Sequence, residues 1–141
     1  MESLKTIPPE IAALIPKAQL RFTNENLQEY SDAIKQLVML LEKCPQIGET
    51  DGMKEHPLIF HYFTGSTDFY ICEYDRNNTM FGYAILGGDL QNAEWGYINL
   101  SEITDIVPLN IEYFSNEEKS IEAALYTAYP NHYKKPKSLT A

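Results

Sequence analysis

Between residues 58 and 100 the chain carries four β-rich runs, and the first connections between them are too short for anything but antiparallel pairing. Leu58-Ile59-Phe60-His61-Tyr62-Phe63 is broken by Gly65-Ser66, and a second run extends from Asp68 to Tyr74. Asp75-Arg76-Asn77-Asn78 forms a turn before a third run, Met80 to Leu86. A loop opening with Gly87-Gly88-Asp89 leads to the fourth, Trp95 to Leu100. A parallel crossover needs a dozen or more residues, so this spacing predicts an antiparallel meander. Asparagine in the second turn tolerates the left-handed conformations that hairpins use.

Side chains alternate across a strand, so the faces follow from the sequence. On the third run Phe81, Tyr83 and Ile85 share one face, and Met80, Gly82, Ala84 and Leu86 share the other. Neither face is polar, which predicts a central strand covered on both sides, or one half covered by aromatics. On the fourth run Gly96, Ile98 and Leu100 oppose Trp95, Tyr97 and Asn99. Gly82 and Gly96 stand inside strands, where glycine marks a bulge or a place where a neighbouring ring lies across the backbone.

The flanks have a helical period. Ile11, Leu14 and Ile15 fall at i, i+3 and i+4 behind Pro8-Pro9, which predicts a short helix stopped near Pro16. From Asn26 to Lys43 the residues Leu27, Tyr30, Ile34, Leu37, Val38 and Leu41 make a 3.6-residue stripe suited to covering a sheet. Asn26 followed by Glu29 fits a capping pattern, with Thr23 and Asn24 as rivals, and Cys44-Pro45 ends the helix. Residues 45–57 read as a loop. Ser101 is expected to cap a helical turn ended by Pro108, and Leu109 to Phe114 alternates as a fifth strand. Ser115 or Asn116 then caps a last helix through Glu117, Glu118, Ile121, Ala124, Leu125 and Ala128, stopped by Pro130.

The expected fold class is therefore α+β: N-terminal helices, an antiparallel sheet of four or five strands, and a C-terminal helix. The 141 residues suit one domain. Its parts are a helical segment at 1–44, the sheet at 58–114, a helix at 115–129 and a solvated, mobile tail at 130–141. No apolar run approaches the 18 or so residues of a membrane span, so a membrane role is not expected. With no signal-peptide pattern and only Cys44 and Cys72, which have no zinc spacing, a cytoplasmic home is expected and both cysteines read as small core hydrophobes. The formal charge of −9 repels nucleic-acid phosphates on average. The basic cluster Lys134, Lys135 and Lys137 reads as part of the solvated tail.

The block from Phe60 to Glu112 resembles the DUF2958 family, small bacterial proteins of uncharacterised function often encoded on plasmids, phages and conjugative elements. The residues that carry the likeness are Phe69-Tyr70 with Glu73 and Asp75, Phe81-Gly82-Tyr83, Glu94, Gly96-Tyr97, Leu100, and Ser101-Glu102-Ile103. Ile111-Glu112 followed by Phe114 echoes the family's closing acidic strand. The chain departs from the pattern around that strand. It reads Pro108-Leu109-Asn110-Ile111-Glu112-Tyr113 where the family has Gly-Leu and Arg-Asp, and the helix at 26–43 is an addition. The resemblance implies a cytoplasmic accessory protein of a bacterial mobile element, linked to conjugation or defence evasion, and carries no agreed activity.

Motif chemistry is sparse. GxSxG, GxxxxGK[ST] and GxGxxG are all missing from the sequence. His56, His61 and His132 have no metal-ligand spacing; His61 reads as a strand residue on the wetter face and His56 as an exposed loop residue. No residue is assigned a catalytic, cofactor or metal role. Glu73 and Asp75, at i and i+2, are expected to share a face, and with Glu94 and Glu102, which flank the fourth strand, they would form an acid cluster if that strand lay near the second. The candidate interaction surface is accordingly Glu73, Asp75, Tyr83, Glu94 and Tyr97. The leading functional expectation is a non-enzymatic accessory or protein-interaction module with a protein partner. The exposed tyrosines also fit a homodimer. The alternatives are a DNA-mimicking, antirestriction-like inhibitor, whose acids must project from one face, and a carboxylate-based enzyme.

Overall fold

The computed structural model describes residues 6–106, 109–112 and 120–139. A five-stranded antiparallel sheet runs in the order β4-β3-β2-β1-β5. The strands are β1 (Phe60–Thr64), β2 (Thr67–Tyr74), β3 (Thr79–Ile85), β4 (Glu94–Asn99) and β5 (Asn110–Ile111). Strands one to four form the expected meander, and β5 adds to the outer side of β1. The fold class is thus α+β as expected.

One face is covered by α1 (Pro9–Ala12), α2 (Lys17–Glu25) and α3 (Leu27–Lys43). Ile34, Leu37 and Leu40 of α3 and Ile11, Leu14 and Ile15 pack against Phe60, Tyr62, Ile71, Met80 and Ile98 of the sheet in one buried cluster. Each such side chain, fully buried, stabilises by about 1.5–3 kcal/mol. Tyr62 is completely buried, and its hydroxyl donates to the Leu14 carbonyl at 2.6 Å, which ties the α1 segment to β1. The second face carries Tyr70, Cys72, Tyr83 and Ile85, covered by Ile121 and Leu125 of α5 (Ile121–Ala128) and by Tyr129 and Tyr133 beyond it. The expected division of β3 into two apolar faces, both covered, is therefore observed.

Several local expectations change. Beyond the elements expected from the sequence, the segment after Pro16 forms α2; Pro16 sits at its cap position, where a missing N–H costs nothing. Asn26 does precede α3, but its amide donates back to the Phe22 carbonyl at 2.8 Å and makes no capping bond. The left-handed residue of the β2–β3 turn is Arg76 (φ 63°), not an asparagine. Its guanidinium donates to the carbonyls of Leu41 (2.8 Å) and Cys44 at the end of α3, and to Tyr74 (2.8 Å), which offsets the roughly 1–2 kcal/mol cost of that backbone. Asn99, not Ser101, occupies the cap of α4 (Leu100–Thr104), because Ser101 is already inside the helix. Ser120 caps α5 by accepting from the Ala123 N–H at 3.0 Å. The caps expected at Ser115 or Asn116, the acidic turn at Glu117 and Glu118, the stop at Pro108 and the strand end at Tyr113 and Phe114 lie outside the described residues.

Over its described length the C-terminal segment is largely exposed, but it is anchored to the domain at two points. Tyr133 packs on Tyr83, and Ser138, in a 3₁₀ turn at Lys137–Leu139, donates from its N–H and hydroxyl to Glu55.

Candidate functional site

The predicted acid cluster does not form, and a bulge is the first reason. Ile71 pairs with Gly82 and Glu73 with Phe81, so Cys72 is an extra residue in β2. The extra residue shifts the phase of the strand. Glu73 turns to the face of Phe81 instead of following Phe69 and Ile71 onto the helix-covered face, and Tyr74 takes its place in the main core. Glu73 is then sealed, 1% exposed, under the 45–57 loop. Its carboxylate accepts from the N–H groups of Gly48 (2.7 Å) and Thr50 (2.9 Å) and from the Thr50 hydroxyl. Burial pushes its pKa up, but these donors and the nearby His56 outweigh burial and hold it below its ordinary 4.5. Its bonds pin a loop.

Asp75 lies past the end of β2 and accepts from the N–H groups of Asn77, Asn78 and Thr79, closing the β2–β3 turn. Tyr83 is buried and bonds the Tyr133 hydroxyl at 2.9 Å. Glu94 pairs opposite Ala84 at the start of β4, with β3 between it and β2. The backbone positions of Glu73 and Glu94 are offset by about 10 Å along the strands and about 10 Å across them. The two side chains also lie on opposite faces of the sheet, Glu73 with Phe81 and Glu94 with Ala84, so they share no site. Of the five expected surface residues, only Glu94 and Tyr97 remain exposed, both on β4.

β4 is a sheet edge with an open side. Leu100 N–H donates to the Asn78 carbonyl, which fixes the alternation: even-numbered residues of β4 bond β3, and Trp95, Tyr97 and Asn99 direct their N–H and C=O groups outward. Their side chains lie on the second face, where Phe81 and Trp95 stack at 6.0 Å, Phe81 meets Tyr97 edge-on at 5.4 Å and Trp95 meets Tyr83 at 5.3 Å. Tyr97 is 71% exposed. Space beside Gly96 is open, so no ring lies across it; Gly82 is the position with a close backbone neighbour.

The opposite edge is closed. Ile111 of β5 turns its N–H and C=O away from β1, and the Gln19 side chain of α2 takes both: Ile111 N–H donates to Oε1 at 2.7 Å, and Nε2 donates to the Ile111 carbonyl at 3.3 Å. The sheet thus has one edge capped by a side-chain amide and one edge with six residues uncapped among the described residues.

Sequence reasoning missed a second polar constellation. His61 is not on a wet face; its side chain is 16% exposed and stacks on Tyr70 at 4.5 Å. Its Nε2 bonds Asp68 at 2.7 Å and its Nδ1 bonds Glu112 at 2.8 Å. Burial alone would lower its pKa, but the two carboxylates prevail and hold it above its ordinary 6.5. A carboxylate engages each ring nitrogen, beside a cavity of about 250 Å³ that Ala124 and Thr127 also line. The pair sits on opposite sides of the ring and converges on no common point; among the described residues no group of three His, Cys, Asp or Glu could hold a metal ion. His61 acts as a polar staple joining β1, β2 and the end of β5. Asp68 was findable, because a two-residue loop at Gly65-Ser66 sets the register and makes it a diagonal neighbour of His61. His56 is likewise not exposed: its ring lies tilted against Trp95 at 4.4 Å, and its backbone N–H donates to Glu122 at 2.7 Å.

Cys44 and Cys72 are buried and free, and burial pushes each thiol up to about 12, so both are inert packing groups. No family model, curated protein or solved structure matches the chain.

Proposed function

We propose that the protein is a non-enzymatic interaction module that binds an extended, basic peptide segment of a partner protein by adding it as a strand to β4. The observation that carries this reading is the unequal treatment of the two sheet edges. An open edge is an aggregation hazard that proteins blunt with lysine, proline, bulges or a cover. The β5 edge has such a cover in Gln19, whereas β4 (Glu-Trp-Gly-Tyr-Ile-Asn) has no lysine, proline or bulge. Strand addition takes affinity from main-chain bonds and specificity from side-chain contacts. Trp95 and Tyr97 supply the bonds, and the Phe81, Trp95 and Tyr97 rings supply an apolar strip beside them. Exposed Glu94 and a formal charge of −9 favour lysine or arginine in the incoming strand. The setting is that implied by the resemblance to DUF2958, a cytoplasmic accessory role for a bacterial mobile element.

The test is Tyr97→Pro. It removes an N–H that β3 does not use, so the sheet should keep its stability. A partner captured by the native chain and purified should slow amide exchange at Trp95 and Tyr97, and its affinity should fall at least tenfold for Tyr97→Pro. Protection elsewhere with β4 unchanged refutes strand addition. Concentration-dependent self-association lost in Tyr97→Pro, with no peptide binding, assigns the edge to a second copy instead.

A further inference from the structure

We infer that the cavity between the 54–55 loop, the start of α5 and the C-terminal segment is a binding site for a small ligand carrying two or more linked phosphate groups. The cavity, about 390 Å³, is lined by Lys54, Glu55, Glu122, Lys134, Lys135, Pro136 and Lys137. Four of the chain's 11 basic residues therefore surround one space, in a protein with 20 acids available to pair with them.

The fold builds this arrangement. Glu55 accepts from the Ser120 hydroxyl at 2.7 Å and from the Ser138 hydroxyl at 2.5 Å and N–H at 3.1 Å. Glu122 accepts from both His56 N–H and His56 Nδ1 at 2.7 Å. These bonds turn the segment after Tyr133 back over the start of α5 and bring its lysines to the cavity that Lys54 also lines. They also occupy both carboxylates with hydroxyl, amide and imidazole donors. Lys54, Lys134 and Lys135 form no ion pair with the described residues. Among the described residues that line the cavity, four lysines stand against two glutamates, a formal excess of two positive charges on a chain of formal charge −9. Like charges held around a concavity repel one another, and a multivalent anion relieves that repulsion at several points at once. Lysine is a point-charge binder of phosphate, and the volume falls within the usual range for small-ligand sites.

The experiment is calorimetric titration of the full chain with pyrophosphate, tripolyphosphate and ATP at 50 and 200 mM salt. The site predicts saturable one-to-one binding of tripolyphosphate, weaker at the higher salt. Lys54→Gln and Lys135→Gln should each weaken it about three- to tenfold, the loss of one partly exposed charged contact. Lys35→Gln, on α3, makes the same change in net charge away from the cavity and should leave affinity unchanged. Circular dichroism of each variant checks the fold. ATP binding tighter than tripolyphosphate identifies a nucleotide as the source of the phosphates, and equal binding identifies the phosphate chain alone. No binding of any of the three overturns the inference. So does equal weakening by Lys35→Gln, or tighter binding of a single-stranded oligonucleotide that spreads beyond the cavity.

Discussion

Gly82 and Gly96 face each other across β3 and β4, yet an added methyl group should have opposite effects at the two positions. A Cβ built on Gly82 would lie 1.9 Å from the Tyr70 carbonyl oxygen and 2.9 Å from its carbon, both backbone atoms. Real Cβ contacts stay at 3.0 Å or more, so β2 and β3 would have to part by about 1 Å at the bulge. That lengthens one or two ladder hydrogen bonds beyond useful range, at about 1 kcal/mol each. Overpacking adds about 1–3 kcal/mol. Loss of glycine's unfolded-state entropy returns about 0.5–1 kcal/mol. Gly82→Ala should therefore destabilise by about 1–4.5 kcal/mol, a fall in Tm of about 3–14 °C for a chain of this length. A Cβ on Gly96 meets nothing within 4 Å, and its φ is not in the left-handed region. Gly96→Ala should be neutral or stabilising by up to about 1 kcal/mol. Urea and thermal unfolding followed by circular dichroism measure both. If Gly82→Ala unfolds within about 0.5 kcal/mol of the native chain, or Gly96→Ala loses as much as Gly82→Ala, the account of the bulge is wrong.

Two charge-dependent outcomes can be checked with the same assays. His61 has a folded pKa above its ordinary 6.5, so its contribution is complete below about pH 6.5 and is lost as pH rises through the folded value. The urea midpoint should fall across that alkaline limb, and His61→Gln should flatten the limb; an unchanged pH profile in the variant would contradict the staple. Glu73 has a folded pKa below 4.5, so its contribution is present above that pH and is lost as pH falls through the folded value. Glu73→Gln replaces a charged acceptor of three hydrogen bonds and should cost about 2–4 kcal/mol at neutral pH, with faster amide exchange at Gly48 and Thr50 as the local signature. Slow exchange there in the variant would show that the loop is held by something else.

Much of this architecture is legible in local pattern. Period two in residues 58–100, the short turns and the 3.6-residue stripe at 26–43 determine the meander, its faces and the helix that covers it, because alternation and helical period are properties of neighbouring residues. The division of Phe81, Tyr83 and Ile85 from Met80 and Ala84 is read correctly for that reason. What fails is everything that depends on one extra residue or one distant partner. A single bulge residue, Cys72, reverses the side to which Glu73 points, and no period count locates it in advance, although Gly82 opposite marks the spot. Strand order puts β3 between Glu73 and Glu94, so the expected acids never meet. Gln19 finds the edge of β5, Glu112 finds His61 and Ser138 finds Glu55 across separations of 92, 51 and 83 residues. Sequence proximity carries no information at those distances. The open edge of β4 and the lysine-lined cavity exist only because the closed fold leaves one strand's outer edge without a partner among the described residues and turns the C-terminal segment back over α5.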